Sequence, residues 1–170
     1  MPLYNSMNKE TVLHEIAPVY DENSGILILG SFPSVKSREG NFFYNHSQNR
    51  FWKVLAAVLE ISVPESVEEK KEMLLKHGIA LWDVVGSCTI SGSSDSSIRD
   101  VVPNPVEDIL KNTGIRTIYT NGGTAHRLYE KYLRPAIGME AVRLPSTSPA
   151  NAAWNLERLT EAWKVIRHGM

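Results

Sequence analysis

Residues 26–52, ILILGSFPSVKSREGNFFYNHSQNRFW, decide how the rest of the chain reads. Four aliphatic residues, Ile26 to Leu29, run without polar alternation and stop at Gly30. So short an apolar run predicts a strand buried on both faces, the habit of a parallel sheet. The segment that follows is not an ordinary loop. It holds all 4 phenylalanines of the protein, with Tyr44 and Trp52, and among them Lys36, Arg38, His46, Asn49 and Arg50. Between residues 30 and 53 there are four Lys or Arg against the single acid Glu39, a local +3 on a chain of net charge −1. A solvent loop has no packing reason to gather rings and positive charge. A site for something flat and anionic has one.

Working outward, helical and strand patterns alternate. Arg50–Glu60 places Phe51, Val54, Leu55 and Val58 on one face, with Ser47 available as cap. Pro64–His77 carries Ser66-Val67-Glu68-Glu69, the form of a capping box, before Gly78 stops it. Ile79–Val85 reads as the second strand, and residues 86–97 as a Ser/Gly-rich loop. Asn104-Pro105 followed by Glu107 and Asp108 starts a helix that Gly114 ends. Ile115–Tyr119 is the third strand, Thr124–Leu133 a helix stopped by Pro135, and Ala141–Leu144 the fourth strand. The last helix spans about Ala150 to Ile166, capped by Ser148, with Trp154, Leu159, Trp163 and Ile166 inward.

Strands separated by helices imply right-handed crossovers and a parallel sheet. The expected architecture is α/β: one domain over residues 1–170, three-layer α/β/α, around a central four-stranded parallel sheet. In such a sheet, ligands bind at the carboxyl ends of the strands. The unusual loops follow the strands, so they should converge there.

The single Cys88 excludes a disulfide framework within one chain and a four-cysteine metal or iron–sulfur site. Met1 to Glu10 lacks the basic flank and apolar core of a signal peptide, and no apolar run approaches the ~20 residues of a membrane span. An intracellular (cytoplasmic) monomer with no membrane association is expected. HExxH, GxxxxGK[ST], GxGxxG and GxSxG are all missing, so no metal and no cofactor is expected. His14, His77, His126 and His168 read as surface or helix-terminal residues, which leaves His46 as the histidine in a suggestive place.

Four pieces could carry chemistry. Phe42, Phe43 and Tyr44 in a row cannot all face one way, so one ring should meet solvent or ligand, and stacking on a base gives it a use. Leu144–Asn151, LPSTSPAN, combines two prolines, three hydroxyls and free N–H groups in a rigid turn suited to anions. Asp95 stands in the Ser87–Ser97 loop, and Asn121-Gly122-Gly123 forms a turn after the third strand.

A strand ending in GSFP, a loop ending in FYNHSQNRFW, and a later strand ending in LPSTSPAN, with ALWDVVGSC and SSDSSIRD between, resemble the uracil-DNA glycosylase superfamily. The resemblance is specifically to its mismatch-specific and hypoxanthine-DNA glycosylase branch. The resemblance runs from Ile26 to the last helix. It implies a monofunctional glycosylase that flips a deaminated base, hypoxanthine or uracil, out of DNA and hydrolyses its N-glycosidic bond in base excision repair. Single- or double-stranded DNA carrying such bases would be the partner.

Residue by residue, the resemblance makes Asn49 the catalytic amide that holds the attacking water, with Ser31 beside it, and Tyr44 the stacking ring. Phe32, His46, Ser37 and Asp95 would touch the substrate. Lys36, Arg38, Arg50, Ser146, Thr147, Ser148, Pro149 and Asn151 would contact DNA. Phe32 stands where mismatch-specific relatives carry Asn, and Ser34 and Ser47 replace a Gly and a Pro of the pattern. The alternative is a module on the same scaffold that grips damaged bases without cleaving them. No lysine stands in a motif, which argues against a Schiff-base lyase step.

Overall fold

Ile26–Gly30 forms a strand in which every residue is buried, as the unbroken apolar run predicts. Ile26, Leu27, Ile28 and Leu29 are each 0% exposed, and each contributes about 1.5–3 kcal/mol on burial. The computed structural model describes residues 10–170; the reading of the first residues as leader-free lies outside them but for Glu10. Within that range run β1 (Glu10–Leu13), β2 (Ile26–Gly30), α1 (Val35–Gly40), α2 (Phe51–Leu59), α3 (Val67–Lys76), β3 (Ile79–Asp83), β4 (Val85–Ile90) and β5 (Arg99–Pro103). They continue as α4 (Val106–Lys111), β6 (Thr117–Asn121), α5 (Gly123–Tyr132), α6 (Arg134–Ile137), β7 (Ala141–Leu144) and α7 (Leu156–Trp163).

The four expected strands form one parallel sheet in the order β3-β2-β6-β7. Helices cover it: α3 lies against β3, α5 against β6 and β7, and α2 packs on α7. Register fixes what matters for function. Gly30 pairs with Asp83, Leu29 with Thr120, and Asn121 with Leu144. Gly30, Asp83, Asn121 and Leu144 therefore stand in a row along the carboxyl edge, and each loop leaves from that row.

A second sheet was not anticipated. β1, β4 and β5 form an antiparallel ladder in the order β1-β4-β5. The second predicted strand ends at Asp83 rather than Val85, and after Val84 alone the chain enters β4. Val84 N–H donates to Gly30 O at 2.8 Å, and Asn104, buried and not a helix cap, donates its amide to Asp83 O (2.9 Å) and Val85 O (3.1 Å). The side chain of Asn104 thus ties the two sheets together where the strand changes over.

Capping follows sequence unevenly. Ser66 and Glu69 form the predicted capping box of α3. Ser47 does not cap α2; Asn49 Oδ1 accepts from Phe51 N–H at 2.9 Å instead. The last helix begins at Leu156, capped by Asn155, while Ser148 Oγ accepts from Ala150 N–H within the preceding turn. Trp163, fully buried, donates its indole N–H to Pro145 O at 2.9 Å and so anchors that turn to the helix.

Candidate active site

The carboxyl edge opens into a cleft of about 740 Å³, lined from the first loop by Ser31, Phe32, Tyr44, His46 and Asn49 and from the last by Ser146 to Asn151. Asp83 and Asn121 line it from the sheet, and Asp95 from the loop between β4 and β5. Two of the three consecutive rings face inward, Phe42 and Phe43 being 3% and 2% exposed. Tyr44 takes the third course. Its backbone sits at φ 52°, the left-handed region, which turns its ring back over the cleft to stack on Phe51 at 4.1 Å and 18°. An L residue holds that conformation only when its surroundings enforce it. At the floor, Gly30 has to be glycine, because a Cβ there would collide with the Asp83 carboxylate and the Tyr44 hydroxyl.

The two motif loops are joined through Arg50 and Thr147. The guanidinium of Arg50 donates to the carbonyls of Ser148 (2.9 Å), Asn151 (3.1 Å), Thr147 (3.4 Å) and Trp154. Arg50 N–H adds a further bond to Thr147 O at 3.1 Å. Thr147 is fully buried. Its N–H donates to Asn121 Oδ1 and its hydroxyl to Asn49 Oδ1, while that hydroxyl accepts from Asn121 Nδ2, at 2.9–3.0 Å. Against the expectation that Arg50 and Thr147 meet DNA, four of the five guanidinium N–H groups and both the N–H and the hydroxyl of Thr147 are engaged inside the protein.

The same network sets the chemistry of Asn49. Phe51 N–H can only donate, so the atom it meets is the amide oxygen. With Thr147 donating to that oxygen as well, both lone pairs are engaged. Asn49 thus offers the cleft N–H donors alone. Asn49 was expected to position the attacking water without taking its proton, and N–H donors can hold that water only through its oxygen.

A carboxylate acceptor lines the cleft from another loop. Ser31 Oγ donates to Asp95 Oδ1 at 3.0 Å. Asp95 is exposed as a residue, yet the protein crowds its carboxyl. This burial, with Asp83 adding repulsion, holds its pKa above the ordinary carboxylate value, against the Ser31 hydrogen bond and Arg127. The Tyr44 hydroxyl is pushed up as well, by burial first and then by the Asp83 charge; Asn121 opposes this. Asn121 lies close enough to ease the shift, but no contact meets hydrogen-bond geometry, and the hydroxyl has no partner among the described residues.

The remaining expected residues divide. His46 reaches the cleft with Nδ1 accepting from Gln48 N–H at 3.0 Å. Phe32 lines the cleft with Arg38 over its ring at 5.7 Å. Ser37 is buried, accepting from Asn45 N–H at 3.1 Å, so it shapes the loop rather than reading a substrate. Arg38 donates to Gly92 O at 2.8 Å and, like Arg50, ties loops together. Lys36 is exposed beside Glu39, the one cation of the expected three turned outward. Ser146, Ser148, Pro149 and Asn151 stay at the cleft rim, with Ser146 Oγ accepting from Ser148 N–H and Asn151 donating to Ser146 O.

Sequence reading missed Asp83, His14 and the amide of Asn121. His14 is not on the surface: its side chain is 1% exposed, and its Nε2 lies 2.8 Å from Asp83 Oδ2. A charged residue inside the apolar run ALWDVV was the available signal for Asp83. Nothing local signals His14, whose partner lies 69 residues away.

Residues 17–167 match the family described as the uracil DNA glycosylase superfamily. A hypoxanthine DNA glycosylase of Methanosarcina acetivorans is 38% identical over 152 residues, covering 88% of this chain and 95% of the relative. One from Methanosarcina barkeri is 35% identical over 137 residues, covering 79% and 85%. The solution NMR structure of a candidate uracil DNA glycosylase from Methanosarcina acetivorans superposes with a TM-score of 0.77 at 34% identity, over 90% of this chain and 95% of that one. A parallel four-stranded sheet with its cleft at the carboxyl edge and both motif loops around it is the arrangement of a DNA N-glycosylase. The chain belongs to the uracil DNA glycosylase superfamily.

Proposed function

We propose that this protein hydrolyses the N-glycosidic bond of hypoxanthine in DNA after drawing the nucleotide out of the stack, with uracil as a second substrate. The curated relatives that bear the name hypoxanthine DNA glycosylase support the choice of base. The observation that carries the mechanism is the Asn49 amide, locked by Phe51 N–H and Thr147 so that its N–H groups face the cleft.

Cleavage inside DNA requires extrusion, because C1′ is otherwise shielded. The extruded base stacks on Tyr44, whose ring is already backed by Phe51. As the bond lengthens, the sugar becomes cationic and the base anionic. Asn49 N–H donors stabilise the charge on the base, a contact that strengthens only as the charge develops. The Asp95 carboxylate, oriented by Ser31, faces the cleft where it can accept a proton from water and favour the cationic sugar. No lysine is needed, and the abasic strand is left intact.

The test is single-turnover cleavage of labelled duplexes carrying one hypoxanthine or one uracil, followed by alkali. Alkali-dependent scission at hypoxanthine is expected, and Asn49→Asp, which keeps an acceptor but loses both donors, should slow it by ~10²-fold. Tight binding without scission of any deaminated base would refute hydrolysis in favour of a gripping module. Scission without alkali would indicate lyase chemistry instead.

A further inference from the structure

Residues 91–98, between β4 and β5, put Ser93, Ser94, Asp95 and Ser96 into the wall of the cleft. The stretch packs little: Gly92 to Ser96 are exposed, and Ile98, 8% exposed, is its apolar anchor. Gly92 at φ 59° and Asp100 at φ 54° bend the backbone through the left-handed region at either end. Ser97 knots the interior, its Oγ accepting from Ser91 N–H at 2.9 Å and donating to Ser94 O at 2.7 Å. The loop is thus a stiff piece between two bends, and its attachment decides where Asp95 stands. Among the described residues, three hydrogen bonds join it to the first motif: Ser31 Oγ to Asp95 Oδ1 (3.0 Å), Val35 N–H to Ser93 Oγ (2.8 Å) and Arg38 to Gly92 O (2.8 Å). Ser31 cannot fix the loop, because its hydroxyl rotates and follows the carboxylate. The Arg38 bond is charge-assisted, roughly twice the strength of a neutral one, and its guanidinium is braced over Phe32, 5.7 Å from the ring centroid. Its Nε–H is buried with no partner among the described residues, so the guanidinium sits where the Gly92 carbonyl needs it and not where its own donors are best met.

We propose that Arg38 is a positioning residue: by clamping Gly92 O it holds this loop against the first motif and sets the Asp95 carboxylate in the cleft. This rests on the glycosylase reading above, in which Asp95 takes the proton of water and favours the cationic sugar. Arg38 is spent on Gly92 and acts through the loop, not on the substrate. Ser93 is the second clasp, since its hydroxyl accepts from the first amide of α1. With both clasps made, the chain is pinned at Gly92 and Ser93, just ahead of Asp95. Without Arg38 the bend at Gly92 is released, and the carboxylate swings with the stiff piece that carries it. A reacting group misplaced by about 1 Å forfeits rate by about 10²-fold.

The test compares Arg38→Met, which keeps the stem and loses the donors, with Arg38→Lys, which can still donate to Gly92 O. In single-turnover cleavage of a hypoxanthine duplex, Arg38→Met should lower the maximal rate by roughly 10- to 100-fold. Its affinity for a duplex carrying an uncleavable 2′-fluoroarabino hypoxanthine nucleotide should stay within about twofold, with the same salt slope. Arg38→Lys should return the rate to within about threefold of wild type, because one carbonyl asks for one donor and not a fork. Placed in Asp95→Asn, Arg38→Met should add less than about threefold, since the two residues serve one step. Ser93→Ala, on the exposed loop, should slow cleavage about 2- to 10-fold, the size of one neutral hydrogen bond. An unchanged rate in Arg38→Met or in Ser93→Ala overturns the proposal. So does a loss as large in the Asp95→Asn background as in wild type, or weaker binding with a shallower salt slope, which would make Arg38 a phosphate ligand. Amide exchange at Val35, shielded by Ser93, reads the clasp without any activity. It should quicken about tenfold in Arg38→Met and not in Arg38→Lys, and equal exchange in Arg38→Met and wild type overturns the clamp. Failure of the glycosylase reading shows separately, as a wild type with the Val35 amide shielded that cleaves no deaminated base.

Discussion

Replacing Thr147 by Val removes one hydroxyl and almost no volume, which makes it a direct probe of how the cleft is held. Thr147 is fully buried, and its hydroxyl serves two asparagines at once. In Thr147→Val, Asn49 Oδ1 keeps its bond from Phe51 N–H, but Asn121 Nδ2 loses its acceptor. Asn121 is half-buried on the cleft wall, so leaving this donor unpaired costs up to about 1–3 kcal/mol. At ~2–4 °C per kcal/mol for a chain of this size, the melting temperature should fall by roughly 2–12 °C. The Asn49 amide also loses one of the two bonds that orient it, so single-turnover cleavage should slow by about tenfold, as for weakening a contact made in the transition state. Thr147→Ser is the control. It loses a methyl group, costing about 1 kcal/mol, yet keeps the hydroxyl, so it should melt lower but cleave far faster than Thr147→Val. If the two variants slow cleavage equally, or Thr147→Val does not slow it at all, the reasoning about Asn49 fails.

Two further outcomes follow from the loops. Because the Asp95 carboxyl is held above its ordinary pKa, its ionisation favours the unfolded chain. The stability it contributes is full below the ordinary carboxylate pKa and is lost as pH rises through the raised value. Asp95→Asn should therefore raise the melting temperature near neutrality, with the gain vanishing in acid, while cleavage falls; a gain that persists unchanged in acid would contradict this. Arg50→Lys leaves one ammonium where a guanidinium meets four carbonyls, and should cost about 2–4 kcal/mol in thermal or urea unfolding. An unchanged stability, with a shallower salt dependence of DNA binding, would instead mean that Arg50 touches phosphate.

The parallel sheet was legible because its strands are short and apolar and end at Gly30, Asp83 and Leu144, and because capping signals such as Ser66-Glu69 break the helices cleanly. The antiparallel sheet was not. β5, Arg99-Asp-Val-Val-Pro103, is an edge strand that exposes its polar residues and tolerates a proline, so it carries no apolar signature. β4 begins one residue after β3 ends, and the pair reads as a strand running into a serine loop. Short α1 offers too few residues for a period to show. Within the site, residue types pointed correctly to the cleft, but not to which atoms face it. Asn49 presents donors because Thr147 lies 98 residues away in sequence. Arg50 and Arg38 looked like phosphate ligands because composition records charge, not the carbonyls that consume it.

The tie between Trp163 and Pro145, together with the Arg50 clamp on residues 147–154, bears on the order in which the molecule can be made. During synthesis β2 and its aromatic loop leave the ribosome long before β6 and β7 can flank the sheet or α7 can cover α2. Until then, the most apolar strand of the chain has β3 on one side and an open edge on the other. A nascent chain stalled before Pro145 would hold most of the catalytic residues with no second loop to face them. It would therefore be inert on DNA and a client for holding chaperones. A complete cleft therefore waits for the last motif loop and for the helix whose Trp163 anchors it.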